Sequence, residues 1–245
     1  MGPSKQTQWR EEGEPKPTCH DGDGILKIAG VSLVADRDGA LFWQEEGVLA
    51  VADLHLEKGS AFAVRGILLP PYDTAATLER LARVLARYAP RTVIALGDSF
   101  HDDNGPARIL ELDRAELGRL QHGRDWIWVA GNHDSKPIVG LGGISAATLA
   151  IGALLFRHQP DPMAPNGEIA GHLHPIARIN GRGRIVSRRC FACDGRRIVM
   201  PAFGSYAGGL NVRDPAFTEL FGGLSYKVYM LSGGRLYSVS AKRCL

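Results

Sequence analysis

Short apolar runs recur along the chain from Ile25 onward, each three to eight residues long and most closed by Gly, Asp or Asn. Val48–Ala52, Thr92–Leu96, Trp126–Ala130, Leu149–Phe156, Glu168–Ala170, Ile198–Phe203 and Lys227–Leu231 have the length and the β-branched or aromatic content of buried strands. Between the first two the period changes. Leu78, Leu81, Leu85 and Tyr88 fall on one face of a helix over Thr74–Tyr88, with Arg and Glu on the other. Asp73 is its expected N-cap and Pro90 its stop. A second helix is expected from about Ala107 to Gln121, ended by His122-Gly123. The first half thus alternates strand and helix, while the second is richer in strands. There, Asn180-Gly181 and Asp194-Gly195 read as hairpin turns. The pattern predicts an α/β fold of two packed sheets with helices outside.

Composition supports this without choosing a function. Of 245 residues, 44% are hydrophobic, enough for a full core. The net charge of +3 permits nucleic acid as a partner without demanding it. Residues 1–24 are polar, rich in Pro and Gly, and aperiodic; a disordered tail is expected there, with one domain over 25–245. No signal peptide is visible, and the apolar stretch from Ala146 to Phe156 is too short to span a bilayer. Four cysteines form no dense framework, so a cytoplasmic location is expected, and Cys190-Phe-Ala-Cys193 reads as two residues flanking a hairpin turn rather than half a zinc site.

The chemistry sits where the strands stop. Val51-Ala52 leads into Asp53-Leu-His55; Leu96-Gly97 into Asp98; Ala130-Gly131 into Asn132-His133-Asp134; Ala170-Gly171 into His172-Leu-His174. In α/β folds, ligands bind beyond the carboxyl ends of strands. Glycine lets the chain turn sharply there. If the backbone stays extended, residues i and i+2 point to one side, so each D-x-H or H-x-H pair grips from one direction. With His158, the motifs supply Asp53, His55, Asp98, Asn132, His158, His172 and His174, a mixed N and O set of the size two divalent ions need about 3.5–4 Å apart. Donor type alone leaves manganese, iron, zinc and nickel open.

The order D-x-H, G-D, G-N-H-D, H, G-H-x-H resembles the calcineurin-like binuclear metallophosphoesterase superfamily. That resemblance implies a four-layer αββα sandwich of two mixed β-sheets flanked by helices. Asp53, His55 and His174 would hold one ion, Asn132, His158 and His172 the other, and Asp98 would bridge them. His133 would act as general acid or transition-state stabiliser. Asp134 is a candidate to orient it, the other reading being a surface Asp that starts the next turn. A water between the cations would attack phosphorus in line with the leaving oxygen. A closer similarity covers Ala52–Gly59, Gly97–Asp102, Gly171–Pro175 and the stretch Pro201-Ala-Phe-Gly-Ser-Tyr-Ala-Gly-Gly-Leu210. These resemble the bacterial ligase-associated DNA damage response endonucleases. This implies manganese, single-stranded DNA as substrate, no capping domain, and a DNA ligase and helicase of the same repair pathway as partners; no membrane is involved. His101 is similar to an extra histidine of nuclease-like members that contacts substrate phosphate.

Seven arginines lie between Arg178 and Arg197, opposed only by Asp194. Arg178, Arg182, Arg184 and Arg188 are the candidates for gripping a phosphate backbone. A small-molecule (cyclic nucleotide) phosphodiesterase or a phosphoprotein phosphatase would use the same centre, whereas a non-catalytic scaffold would not need the full ligand set.

Overall fold

The computed structural model describes residues 24–181 and 183–245. Arg182 and all of the expected tail except Gly24 lie outside the described residues. The strands are β1 (Gly24–Ile28), β2 (Val31–Ala35), β3 (Leu41–Trp43), β4 (Val48–Val51), β5 (Thr92–Leu96), β6 (Asp125–Val129), β7 (Ile144–Ala146), β8 (Leu149–Ile151), β9 (Leu154–Arg157), β10 (Glu168–Ala170), β11 (Ile176–Gly181), β12 (Arg184–Cys193), β13 (Arg197–Val199), β14 (Lys227–Ser232) and β15 (Arg235–Ser240). The helices are α1 (Lys58–Val64), α2 (Asp73–Tyr88), α3 (Gly105–Arg108), α4 (Glu111–Gln121) and α5 (Pro215–Leu220).

Among the described residues two mixed sheets form. The first runs β1 to β7 in chain order, antiparallel as far as β4 and parallel from β4 to β7. The second runs β15-β14-β12-β13-β10-β9-β8, with β11 paired to β12. Strand alternation sorts the side chains into three apolar layers. Ala50, Ile94 and Ile127 meet Phe156, Ile169, Phe191 and Ile198 between the sheets. Leu49, Val93, Trp126 and Trp128 face α2 and α4, whose Leu78, Leu81, Leu85, Leu117 and Leu120 cover them. Cys190, Ala192, Val199 and Val228 face Phe217 and Leu220 of α5. Strands buried on both faces must be apolar throughout, which is why they stood out as unbroken runs. The layers are helix, sheet, sheet, helix, and among the described residues no separate capping unit is present.

Several local expectations change. Leu149–Phe156 is not one strand but the hairpin β8–β9, turned at Gly152, whose φ is +54°. The Ala107–Gln121 helix breaks in two, because Ile109 and Leu110 are extended between α3 and α4. Asp73 is the first residue of α2 rather than its cap, and its buried carboxylate accepts the Gly59 N–H at 3.2 Å. The β11–β12 turn falls two residues later than Asn180-Gly181, since Gly181 already pairs with Arg184. Cys190 and Cys193 lie on opposite faces of β12, in different apolar layers.

Candidate active site

Parallel pairing brings the motifs together. Val51 pairs with Ala95 and Leu96 with Val129, so β4, β5 and β6 end side by side and release Asp53, Asp98 and Asn132 at one edge. In the second sheet Ala170 pairs with Arg157, so His158 and His172 leave neighbouring strands, and Gly171 N–H donates to His158 O at 2.9 Å. A parallel bridge between Ala52 and Ala202 joins the two sheet edges.

The D-x-H and H-x-H pairs are not extended. Among the described residues eight non-glycine positions have positive φ, and five are Asp53, His55, Asp98, His172 and His174. Left-handed backbone at non-glycine residues costs about 1–3 kcal/mol each and persists where surrounding structure enforces it, commonly at functional sites. Here the enforcement is visible. Asp53 N–H donates to Gly97 O, His55 N–H to Asp98 O and Leu56 N–H to Ser99 O, at 3.2, 2.9 and 2.9 Å. Glycine serves close approach as well as turning: a Cβ on Gly97 would lie 2.4 Å from the His158 ring, and one on Gly131 2.2 Å from Asp98 N.

All seven expected donors converge. Asp53, His55 and His174 form one group and Asp98, His158 and His172 a second, each with donor atoms within 4.8 Å of one another. In the first, His174 Nε2 is 3.1 Å from Asp53 Oδ1 and 3.3 Å from His55 Nε2. In the second, His158 Nε2 lies 3.4 Å from Asp98 Oδ1, 2.9 Å from Asn132 Oδ1 and 3.2 Å from His172 Nδ1. Asp98 stands between them, its Oδ2 being 3.9 Å from His55 Nε2. His158 Nδ1 is 3.2 Å from Leu96 O, a partner that can only accept; Nδ1 therefore carries the proton and Nε2 presents its lone pair to the centre. Nitrogen and oxygen lone pairs converging in a buried place repel one another unless cations sit among them. The donor set therefore fits two divalent ions.

Electrostatics agree at His55 and Asp98, whereas at His158 burial would lower the pKa but hydrogen bonding to Asp98 and the charges of Asp53 and Asp98 raise it. Burial, followed by the neighbouring His174, lowers the His55 pKa to about 3, so its ring is neutral and free to ligate. Burial would raise the Asp98 carboxyl, yet hydrogen bonding and charge from His158, with the His133 N–H at 2.9 Å, hold it well below the usual carboxylate range.

His133 stands at the mouth, exposed, with Nε2 3.9 Å from Asp98 Oδ2 and Nδ1 3.0 Å from His101 O. His101 joins the same ring cluster, 5.2 Å from His133 and 5.6 Å from His55 between centroids. Burial and the nearby Lys58 lower its pKa to about 4. Asp134 is directed away from the His133 ring. Its buried carboxylate accepts the Ser99, Phe100 and Gly131 N–H groups at 2.7, 3.0 and 3.0 Å, tying the Asp98 loop to the Asn132 loop. Lys58 and Phe62 of α1 also stand at the rim and were missed; only their nearness to the D-x-H motif in sequence could have flagged them.

The arginines separate. Arg197 is buried, 3.5 Å from the buried Glu168, and Arg189 donates to Ala202 O at 2.6 Å. Arg178, Arg184 and Arg188 are exposed on the β11–β12 hairpin. Its register puts Arg178 opposite Ser187 on one face, and Arg184 and Arg188 opposite Gly181 and Ala177 on the other. One strand of nucleic acid cannot meet all three on a single face.

The family that the sequence matches agrees with this geometry. A sequence model described as calcineurin-like phosphoesterase matches residues 47–233. No curated protein matches the chain. Among solved structures, nuclease MPE of Pseudomonas putida shares 24% identity and a TM-score of 0.67 over 89% of this chain and all of that one, a likeness of fold. The E. coli phosphoesterase Yfce shares 14% identity and a TM-score of 0.39 over 79% of this chain and 98% of its own.

Proposed function

The chain belongs to the calcineurin-like phosphoesterase family, and on that premise we propose that it cuts single-stranded DNA internally, with manganese at both ion positions, in DNA repair. The coarser reading is plain: it is a metal-dependent phosphoester hydrolase with two groups of metal-binding side chains. The observation that carries the proposal is the placement of the buried Asp98 between those groups, beside the exposed His133.

Asp53, His55 and His174 would hold one ion, and Asn132, His158 and His172 the other, with Asp98 shared. When bound, the ions supply an acidified water and neutralise charge building on the phosphoryl oxygens. The rest falls to the protein. The His101 carbonyl can only accept, so His133 keeps its proton on Nδ1 and aims Nε2 at the centre. As imidazolium it would hand the Nε2 proton to the leaving oxygen. His101, neutral at pH 7, would donate a hydrogen bond to a phosphate oxygen. Arg184 and Arg188 would steer the strand, and Arg178 would take a flanking phosphate on the other side of the hairpin.

A polymer substrate is supported by the exposed His133 and Asn132 and by the arginine hairpin that begins two residues after His174. The family fold shared with a nuclease is consistent with it. We assign residues 25–245 to the catalytic domain and residues 1–24 to a tail, and place the protein in the cytoplasm with a DNA ligase and a helicase as partners. Among the described residues no helix is long and apolar enough to cross a membrane. The test offers circular single-stranded DNA, duplex DNA, a cyclic dinucleotide and a phosphomonoester to the manganese-loaded protein. Linearised circles are expected. Hydrolysis of the monoester alone refutes the nuclease reading, and cleavage confined to the cyclic dinucleotide replaces it.

A further inference from the structure

The stretch Pro201–Leu210 stood out in the sequence, yet it contributes no donor to either ion position. Its backbone runs along both chain segments that carry the first group of ligands. Phe203 N–H donates to Ala52 O at 2.8 Å and Gly204 N–H to Asp53 O at 3.1 Å. Further on, Leu210 N–H donates to Leu173 O at 3.3 Å and Ile176 N–H to Leu210 O at 2.8 Å. One strap therefore touches Asp53-Leu-His55 at one end and His172-Leu-His174 at the other, although the two motifs lie more than a hundred residues apart.

The approach is close enough to exclude a side chain. A Cβ on Gly204 would fall 2.2 Å from Leu54 O, and one on Gly209 2.0 Å from His174 O. Both neighbours are backbone, so the whole ligand segment would have to move. Gly208, between them, has nothing within 4 Å of such a Cβ. None of the three has positive φ, so alanine suits their backbone and only space distinguishes them. The outer side of the strap is anchored by polar contacts. Arg80 donates to Phe203 O at 2.6 Å and lies 5.4 Å from the Phe203 ring; Arg189 donates to Ala202 O at 2.6 Å. Ser205 N–H donates to Thr77 Oγ1 at 3.1 Å and Lys58 Nζ to Tyr206 O at 3.0 Å.

We propose that Pro201–Leu210 is a positioning strap that sets the spacing between Asp53, His55 and His174, and so governs the first ion position. Gly204 and Gly209 are the residues on which it depends. The proposal rests on the binuclear reading above. Each ligand segment adopts left-handed backbone that its own residues disfavour, and the strap supplies an outside frame that holds both. Partners that orient ligands in this way are worth about 10- to 100-fold in metal affinity.

Metal-free wild type and the variants Gly204→Ala, Gly209→Ala, Gly208→Ala and Arg80→Met are titrated with Mn2+ alone by calorimetry, with circular dichroism as the check on folding. Wild type and Gly208→Ala are expected to bind two ions alike. Gly204→Ala and Gly209→Ala should lose about 10- to 100-fold affinity at one position and keep the other. Two ions bound at wild-type affinity in both variants, or the same loss in Gly208→Ala, overturns the strap. If the glycine variants do not fold, Arg80→Met decides, because it removes an anchor without adding bulk near the ligands: a weakened single position supports the strap and unchanged binding overturns it. A wild type that binds fewer than two ions sinks the binuclear reading itself, and the strap with it.

Discussion

Replacing Asp134 with alanine should cost more stability than its place beside an exposed histidine suggests. The carboxylate is 3% exposed and accepts three backbone N–H groups, from Ser99, Phe100 and Gly131. Alanine leaves all three donors without a partner, and each buried orphan costs about 1–3 kcal/mol. Water entering the space would satisfy part of that, so a loss of about 3–5 kcal/mol is expected. With a urea slope of about 2–3 kcal/mol per molar, the unfolding midpoint should fall by roughly 1–2 M. Asp134→Asn should lose less, because its amide oxygen still accepts while its NH2 faces a donor. Activity should fall together with ion affinity, since the Asp98 and Asn132 loops lose their tie. Urea unfolding of the metal-free proteins reads the first effect and Mn2+ titration the second. If Asp134→Ala unfolds at the wild-type midpoint and binds ions as tightly as wild type, the bracing role is refuted. If it alters only the pH profile of turnover, Asp134 orients His133 after all.

Other consequences are as direct. His133→Ala should lower kcat about 100-fold while both ions stay bound, read by turnover beside metal analysis; wild-type turnover would end its acid role. Arg197→Met leaves the buried Glu168 with only the Asp161 N–H and the more distant Arg157 as partners and should cost about 3–4 kcal/mol in urea unfolding, with much of it regained when Glu168→Met is added; no recovery in the double variant would show that the pair is not what holds Glu168. Burial raises the thiol pKa of Cys190, Cys193 and Cys244, to about 11 for Cys193. Cys193 therefore stays protonated up to that range and burial disfavours the other two thiolates, so labelling of a Cys19→Ser variant should stay slow between pH 7 and 9 until urea is added. Labelling within seconds at pH 8 would contradict their burial. Arg184→Ala and Arg188→Ala should reduce the salt dependence of DNA binding by about one unit of log–log slope each, with unchanged slopes counting against the hairpin.

Much of this centre was legible in the sequence because parallel strands buried on both faces leave a plain signature. They read as apolar runs, and β4, β5, β6 and β10 stop where Gly, Asp and Asn begin. Registration then follows from pairing, which delivers Asp53, Asp98, Asn132 and His172 to one edge. Other features could not be read because they belong to neighbours rather than to local sequence. The left-handed backbone of Asp53 and His174 is imposed by loops that pack on it, so the extended pairs expected from spacing did not form. Asp134 looked like a partner for the adjacent His133, yet its bonds reach Ser99 and Phe100, thirty-five and thirty-four positions away. The arginine segment gave a true charge count, but pleating splits Arg178 from Arg184 and Arg188, and burial removes Arg197. A helix as short as α1, under two turns, carries too few residues for the helical period to show.

The most direct test of the central claim is anomalous diffraction from crystals grown with Mn2+. Two peaks about 3.5–4 Å apart on either side of the Asp98 carboxylate are predicted, one against Asp53, His55 and His174 and the other against Asn132, His158 and His172. A single peak, or two peaks that do not share Asp98, would contradict it.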